Sequence, residues 1–292
     1  MSVANWFSTF CSNIRIESDD ETTIRSRYRQ ITKRINLEYY NTSSDTAHSL
    51  YIGSYGRDTE IFTSDIDMLV QLPYATYSKF DSYTSNGQSA LIQEVKNALA
   101  KTYSVTNLKG DGQIISLPFQ DGINFEVLPA LINKDSRSFT YPNSNNGGSW
   151  KTTDPRAEIS AVKEMNDKCN NNLKSLCRMM RAWKSKCDVN ISGILIDILA
   201  HRFISTWGER DKSFLYYDWM SRDFFKFLSE QDTKQTQWKA MGSGRYINHN
   251  GSYVSKAKAA YDLAVEATDK ETDYPATAKA KWRQIYGGKF PS

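Results

Sequence analysis

The chain predicts an α+β fold in two lobes, a mixed β-sheet flanked by helices over residues 1–153 and an all-helical lobe over residues 154–292. Three observations carry that expectation. Short apolar runs of period two recur through the first half, at 49–53, 65–72, 113–119 and 123–129, with helical periodicity between them. After Pro155 the apolar spacing is helical almost throughout. The length of 292 residues exceeds the common single-domain size of ~100 to 200 residues and is short for three domains.

The first strong element is a helix. Ser18-Asp-Asp-Glu21 has the form of a capping box, and Ile24, Tyr28, Ile31 and Ile35 recur at helical spacing, which predicts a helix of ~20 residues running to about Tyr40. SLYIG (49–53) reads as a short strand, and the glycine, serine and arginine after it as a strand-to-helix turn. DIDMLVQL (65–72) is a strand by alternation. Leu91, Ile92, Val95 and Leu99 give one apolar face to a helix within 88–103. QIISLPF (113–119) and INFEVLP (123–129) are further strands, divided by the turn Asp121-Gly122. Residues 133–153 are polar and rich in Asn, Ser and Gly, which predicts a long loop serving as linker or lid. Helices are then expected at 155–168, 171–187, 192–207, 213–229 and twice after Gly251, with no strand among them.

Hydrophobic residues make up 39% and charged residues 24% of the chain, with 7 Trp, 17 Tyr and 13 Phe, which is enough for a sizeable core and argues against global disorder. The net charge of +4 is far from the concentrated positive field of a dedicated duplex binder, so small anionic ligands are expected rather than long nucleic acid. Arg25, Arg27, Arg29, Lys33 and Arg34 on the first helix read as a solvated face. Cys11, Cys169, Cys177 and Cys187 lack CxxC spacing and His48, His201 and His249 are scattered, so reduced thiols are expected and no zinc cluster. No basic-then-apolar leader and no run of 18 apolar residues occurs, which predicts a cytoplasmic protein without a membrane partner.

The chemistry concentrates in GSYGRDTEIFTSDIDMLVQL, residues 53–72. Alternation places Asp65 and Asp67 on one strand face, ~6.5 to 7 Å apart at Cα, while Ile66, Met68 and Val70 turn inward. Such a pair is costly as bare like charges and is relieved by a hard cation. Glu126, in the alternating strand INFEVLP, adds a third carboxylate if the two strands are neighbours. Three oxygen donors without His or Cys favour magnesium or manganese. In Gly53-Ser54-Tyr55-Gly56-Arg57 the glycines admit an anion close to the backbone, Ser54 can bond a phosphate oxygen and Arg57 adds charge. On the helix at 171–187, Lys174, Arg178 and Arg181 form a basic stripe that either faces solvent or meets an anion.

Gly53-Ser54-x-Gly56-Arg57, Ser64-Asp65-Ile66-Asp67 and Phe125-Glu126-Val127-Leu128-Pro129 together resemble the nucleotidyltransferase superfamily of the polymerase-beta type. The closer resemblance is to the cGAS/DncV-like bacterial cyclic-oligonucleotide synthases of antiphage signalling. It extends over about residues 20–290, since Leu176 to Lys184 and Ile191 to Leu199 look like the two helices with which these enzymes hold a triphosphate. The resemblance implies a bilobal polymerase-beta-like fold and synthesis of a cyclic oligonucleotide, a dinucleotide foremost, from NTPs. Asp65 and Asp67 are then ligands of two magnesium or manganese ions, and Glu126 touches the ion that activates the attacking hydroxyl. Gly53, Ser54, Arg57, Arg181, Lys184 and Ser192 are its expected substrate contacts. It further implies a monomer whose partners are its NTPs and, through a diffusible product, a separate effector. The chain departs from many relatives in carrying glutamate rather than aspartate as third acid. Rival functions are nucleotide addition to RNA or another acceptor, and nucleotide or RNA binding without turnover.

Overall fold

The computed structural model describes residues 2–61 and 65–292. Along the chain, α1 (Val3–Asn13) and α2 (Ser18–Tyr39) precede β1 (Ser49–Tyr51), the five-residue α3 (Gly53–Arg57) and β2 (Asp65–Gln71). Next come α4 (Tyr74–Asp81), α5 (Gly87–Ala100), β3 (Lys109–Asp111), β4 (Ile114–Leu117), β5 (Asn124–Ile132), β6 (Phe139–Asn143) and β7 (Ser149–Thr153). The remainder is α6 (Pro155–Lys168), α7 (Asn172–Lys186), α8 (Gly193–Thr206), α9 (Tyr217–Ser229), β8 (Gln237–Lys239), β9 (Tyr246–Asn248), α10 (Val254–Thr268) and α11 (Pro275–Tyr286).

Two compact units result. Of the described residues, 16–57 and 65–159 form a sheet unit; 2–15, 58–61 and 160–292 form a helical unit. The change between residues 159 and 160 falls inside α6.

In the sheet unit the strand order is β1-β2-β5-β4-β3, with β6 joined to β5 and β7 to β6. Only the β2–β5 pair is parallel; the other pairs are antiparallel. The period of two sends Ile66, Met68, Val70, Phe125, Val127, Ile115 and Leu117 to one face, where they pack with Ile24, Ile31 and Ile35 of α2 and Leu91, Ile92, Val95 and Leu99 of α5. Each such side chain stabilises the fold by about 1.5 to 3 kcal/mol on leaving water. On the other face a smaller cluster of Leu69, Leu128, Ala130 and Phe139 covers only the C-terminal part of the two parallel strands. The first three residues of β2 and of β5 therefore present polar side chains on that face.

Three expectations are corrected. The α2 N-cap is Glu17 without a side-chain cap, so the capping box does not form; Ser18 lies inside the helix, where Asp19, Asp20 and Glu21 complement the positive end of the helix dipole instead. The polar stretch 133–153 is not a loop. Most of it is the β6–β7 hairpin, turned through Gly147 and Gly148 at φ 85° and 96°, conformations that glycine adopts without strain. Strands also occur among the later helices, as β8 pairs with β9 around the buried Trp238 and Ile247.

In the helical unit α1 belongs with the C-terminal residues through aromatic packing. Phe7 lies 5.0 Å from Trp282 and 5.2 Å from Phe290, and Phe10 lies 4.7 Å from Tyr286, centroid to centroid. All four cysteines are thiols, Cys169 and Cys177 being buried. Among the described residues no helix is long and apolar enough to cross a membrane.

One buried acid pair in this unit makes stability depend on pH. Glu271 accepts the Trp282 indole N–H at 3.1 Å and hydrogen-bonds Asp218, with Arg222 nearby. Burial, and then the Asp218 charge, push Glu271 from 4.5 up to about 8. The folded state thus keeps a proton that the unfolded chain releases. The resulting stability is complete below the unfolded value and is lost as pH rises through the folded one. Glu271→Gln, neutral at every pH, should leave Tm almost unchanged near pH 4 and raise it above wild type near pH 9, as scanning calorimetry at both values will show. An equal shift at both would contradict the assignment.

Candidate active site

The register of β2 and β5 sets Asp65 opposite Asn124 and Asp67 opposite Glu126, so the three acids share the polar face of the sheet. Asp65 is exposed; Asp67 and Glu126 are half-buried. Asn124 donates from Nδ2 to Asp65 Oδ1 at 3.4 Å. On the far side of Glu126 lies Ser116, and beyond it Lys109. Gln113 lies in the turn between β3 and β4, outside both strands. Ser64 lies outside the described residues.

The turn after β1 is built against these acids. Gly53 has φ 62°, and a Cβ there would stand 1.8 Å from Asp67 Oδ2. A Cβ at Gly56 would stand 2.6 Å from the Tyr51 carbonyl oxygen. Gly53 is thus needed for the backbone to approach the carboxylate and Gly56 for α3 to pack on the end of β1, and Ser54 follows Gly53 directly, half-buried in α3.

Arg57, expected as a substrate contact, is paired within the sheet unit. It is 6% exposed, ends α3 and pairs with Glu158 at 3.6 Å, because the short helix turns it inward. Its charge is still felt at the site: burial raises Asp67, Arg57 pulls it down and Asp65 pushes it up. Glu126 is pushed up to about 7 by burial and by the charges of Asp67, Asp65 and Asp111, and it hydrogen-bonds Asp67. Asp111, at the end of β3, was not singled out from the sequence. Its signal is Asp111-Gly112, with Gly112 at φ 57°, a hairpin turn that returns the chain beside Ser116.

The donor chemistry fits a hard divalent cation. Asp67 and Glu126 share a hydrogen bond that requires a proton between two carboxyl groups, and a cation supplies the same neutralisation. Among the described residues no group of three acidic, histidine or cysteine side chains is gathered about one point.

The expected contacts in the helical unit have other partners. Arg181, 8% exposed, donates to Asp197 Oδ1 at 2.6 Å and Oδ2 at 2.9 Å, and to the carbonyl oxygens of Cys177 and Gly193. Burial acts against its charge, but Asp197 more than offsets that and keeps the guanidinium above its ordinary value. Arg181, expected as a substrate contact, thus forms a buried ion pair in this structure. Lys174 and Arg178 are paired as well, both with Asp58, so the basic stripe of α7 does not face solvent. The Ser192 hydroxyl caps α8 by accepting from Leu195 N at 3.3 Å, and Lys184 is half-buried on α7. In the sheet unit Trp150 donates to Asp81 at 2.8 Å and packs on Tyr77 at 4.7 Å. On α2, Arg27 pairs with Asp121 and Arg34 with Glu38, while Arg25, Arg29 and Lys33 are exposed.

Comparison with known proteins bears on this geometry. The family model described as Second Messenger Oligonucleotide or Dinucleotide Synthetase domain matches residues 1–166. A probable cyclic nucleotide synthase from Bacillus cereus (strain VD146) is 25% identical over 187 residues, covering 58% of this chain and about half, 52%, of the relative. Among solved structures, the Vibrio cholerae cyclic AMP-GMP synthase DncV, in complex with the linear intermediate pppA(3',5')pG, superposes with a TM-score of 0.72 at 13% identity, covering 96% of this chain and 93% of the other. CdnC of E. coli MS115-1, in its complex with HORMA-deltaN, gives a TM-score of 0.71 at 12% identity over 99% and 98%.

Proposed function

The chain belongs to the Second Messenger Oligonucleotide or Dinucleotide Synthetase family, and from that premise we propose that it joins NTPs into a cyclic oligonucleotide, a dinucleotide foremost, with release of pyrophosphate. The observation that carries this reading is the parallel β2–β5 register, which places Asp67 beside Glu126, with Asp65 on the same face and Gly53 against Asp67. The related Vibrio enzyme, bound to a linear pppA(3',5')pG intermediate, supports the same substrate class.

In this proposal Asp65, Asp67 and Glu126 hold magnesium or manganese, two ions at once. When bound, such ions neutralise the triphosphate and lower the pKa of the attacking hydroxyl. The chain's own residues do the rest. Gly53 and Ser54 seat the triphosphate on the backbone of the turn. Arg57 stands behind Asp67 and favours its ionised form. Glu126, beside Asp67, would hold an ion or take the proton of the attacking hydroxyl at its carboxylate oxygen. Lys184 and Ser192 are proposed as outer contacts of the nucleotide. We place the protein in the cytoplasm, as a monomer whose product diffuses to a separate effector in antiphage defence.

The test is incubation with all four NTPs and magnesium or manganese, then phosphatase treatment and mass spectrometry. A phosphatase-resistant cyclic product that disappears in excess chelator is the expected result. Intact NTPs, or turnover that persists in chelator, would overturn the reading.

A further inference from the structure

Trp6, Phe7 and Phe10 of α1 are buried in the core of the helical unit, and beside them Ser8, Cys11, Ser12 and Arg15 recur at helical spacing. These four form one wall of a cavity of about 300 Å³. The opposite wall is Ser175 and Arg178 of α7, with Phe214 and Tyr217 at the start of α9. All of these belong to the helical unit, and no residue expected to touch substrate or metal lines the cavity. Its lining holds two guanidinium groups and no carboxylate. Arg15, 45% exposed, makes only a 3.7 Å ion pair with Asp58 Oδ1 and donates no hydrogen bond to a described residue. Arg178 donates from Nε to the Glu60 carbonyl oxygen at 3.1 Å and from Nη2 to Asp58, which leaves Nη1 for another acceptor. Both guanidiniums reach Asp58 Oδ1, so they lie near enough for one anion to bridge them.

We propose that this cavity binds a small organic anion, its carboxylate or phosphate held by Arg15 and Arg178 and its planar apolar body lying against Tyr217 and Phe214. The charge balance calls for an anion. Asp58 answers three cations, Arg15, Lys174 and Arg178, with a single charge. Even with the buried Glu60 ionised beside Arg178 and Arg15 one positive charge stays uncompensated, and burial pushes Glu60 toward its neutral form. Burial also pushes the Cys11 thiol up to about 12, with Arg178 opposing, so it stays neutral and does not compete for the guanidiniums. A guanidinium fork holds a carboxylate or phosphate through two parallel N–H···O bonds, and the exposed Ser8 and Ser12 add hydroxyl donors. The apolar side is aromatic. Tyr217 is buried with its hydroxyl hydrogen-bonded to Ser175, which fixes the ring, while Phe214, 44% exposed, lies at the rim beside the exposed Leu215. Such rings favour a planar partner, stacked with an offset or edge-on. The volume is at the lower end for small-molecule pockets and suits a body of one or two rings.

The test titrates phenyl phosphate and, separately, benzoate into the isotope-labelled full chain without divalent cation. Amide NMR signals of residues 8–15, 175–178 and 213–217 are expected to shift together, with a Kd on the order of 0.1 to 1 mM. The tighter of the two probes tells a phosphate site from a carboxylate site. Inorganic phosphate and phenol, the two halves of the first probe, should each bind at least ~10-fold more weakly. Arg15→Gln should weaken both probes by ~10- to 100-fold while thermal unfolding stays at wild type, since this side chain has no hydrogen bond to lose. Phe214→Ala should weaken both by ~3- to 10-fold and leave inorganic phosphate unchanged. The double variant Asp65→Asn, Asp67→Asn should bind both as wild type does, which separates this cavity from the candidate active site. Absence of shifts up to ~10 mM probe, shifts confined to residues 53–57, or unchanged affinity in Arg15→Gln would overturn the proposal.

Discussion

Replacing Asp65 and Asp67 together by asparagine is expected to lower cyclic-product formation by ~1000-fold or more while leaving Tm at or above that of wild type. The two side chains face away from the core cluster of Ile66, Met68 and Val70, so their replacement opens no cavity. Asparagine keeps the shape and one oxygen per side chain but removes the charge that binds a hard cation. Stability should even rise slightly in the absence of ions, because Asp67 and Asp65 both push Glu126 upward and their removal relieves that repulsion. The measurement is product yield at saturating NTP beside thermal unfolding of the same preparation. Retained turnover would remove the ion-binding assignment from these two residues.

The largest loss of stability is expected from Asp197→Ala. Asp197 is fully buried and satisfies both terminal nitrogens of Arg181 as well as the Thr59 hydroxyl. Its removal strands a guanidinium that is 8% exposed, and breaking a buried pair from one side costs about 3 to 5 kcal/mol. For a chain of 292 residues that corresponds to a fall in Tm of roughly 5 to 8 °C. Removing both charges, as Arg181→Met with Asp197→Leu, should recover most of the loss, since buried pairs often do no better than apolar residues of similar volume. Thermal or urea unfolding of the two single variants and the double variant gives the coupling directly. Additive losses would refute the pair. A rise in NTP requirement at unchanged Tm in Arg181→Ala would instead return Arg181 to the substrate.

Both outcomes turn on how local patterns and distant contacts divide the work. DIDMLVQ and NFEVLPALI announce themselves as strands because period two is written into adjacent residues, and the 3.6-residue period of Leu91, Ile92, Val95 and Leu99 does the same for α5. The β6–β7 hairpin stayed hidden because SWKTT buries little and offers few apolar residues to read. The partners of α7 were illegible for a different reason. Lys174 and Arg178 find Asp58 more than 100 residues earlier, and Arg181 finds Asp197 on the next helix, so no spacing within α7 distinguishes a paired cation from a solvated one.

What the amino-acid order determined by itself is the kind and approximate extent of most elements, and the gathering of glycines and acids in residues 53–67 that points to phosphate and metal chemistry. Those are properties of neighbours in the chain, and a period or a motif records them. Which strands lie side by side, that Glu126 meets Asp67, that Arg57 and Arg181 turn inward to carboxylates, and that residues 58–61 belong with helices more than 100 residues away were decided only by the tertiary structure. Those depend on burial and charge pairing between distant segments, whose free energies exist only once the chain has closed on itself.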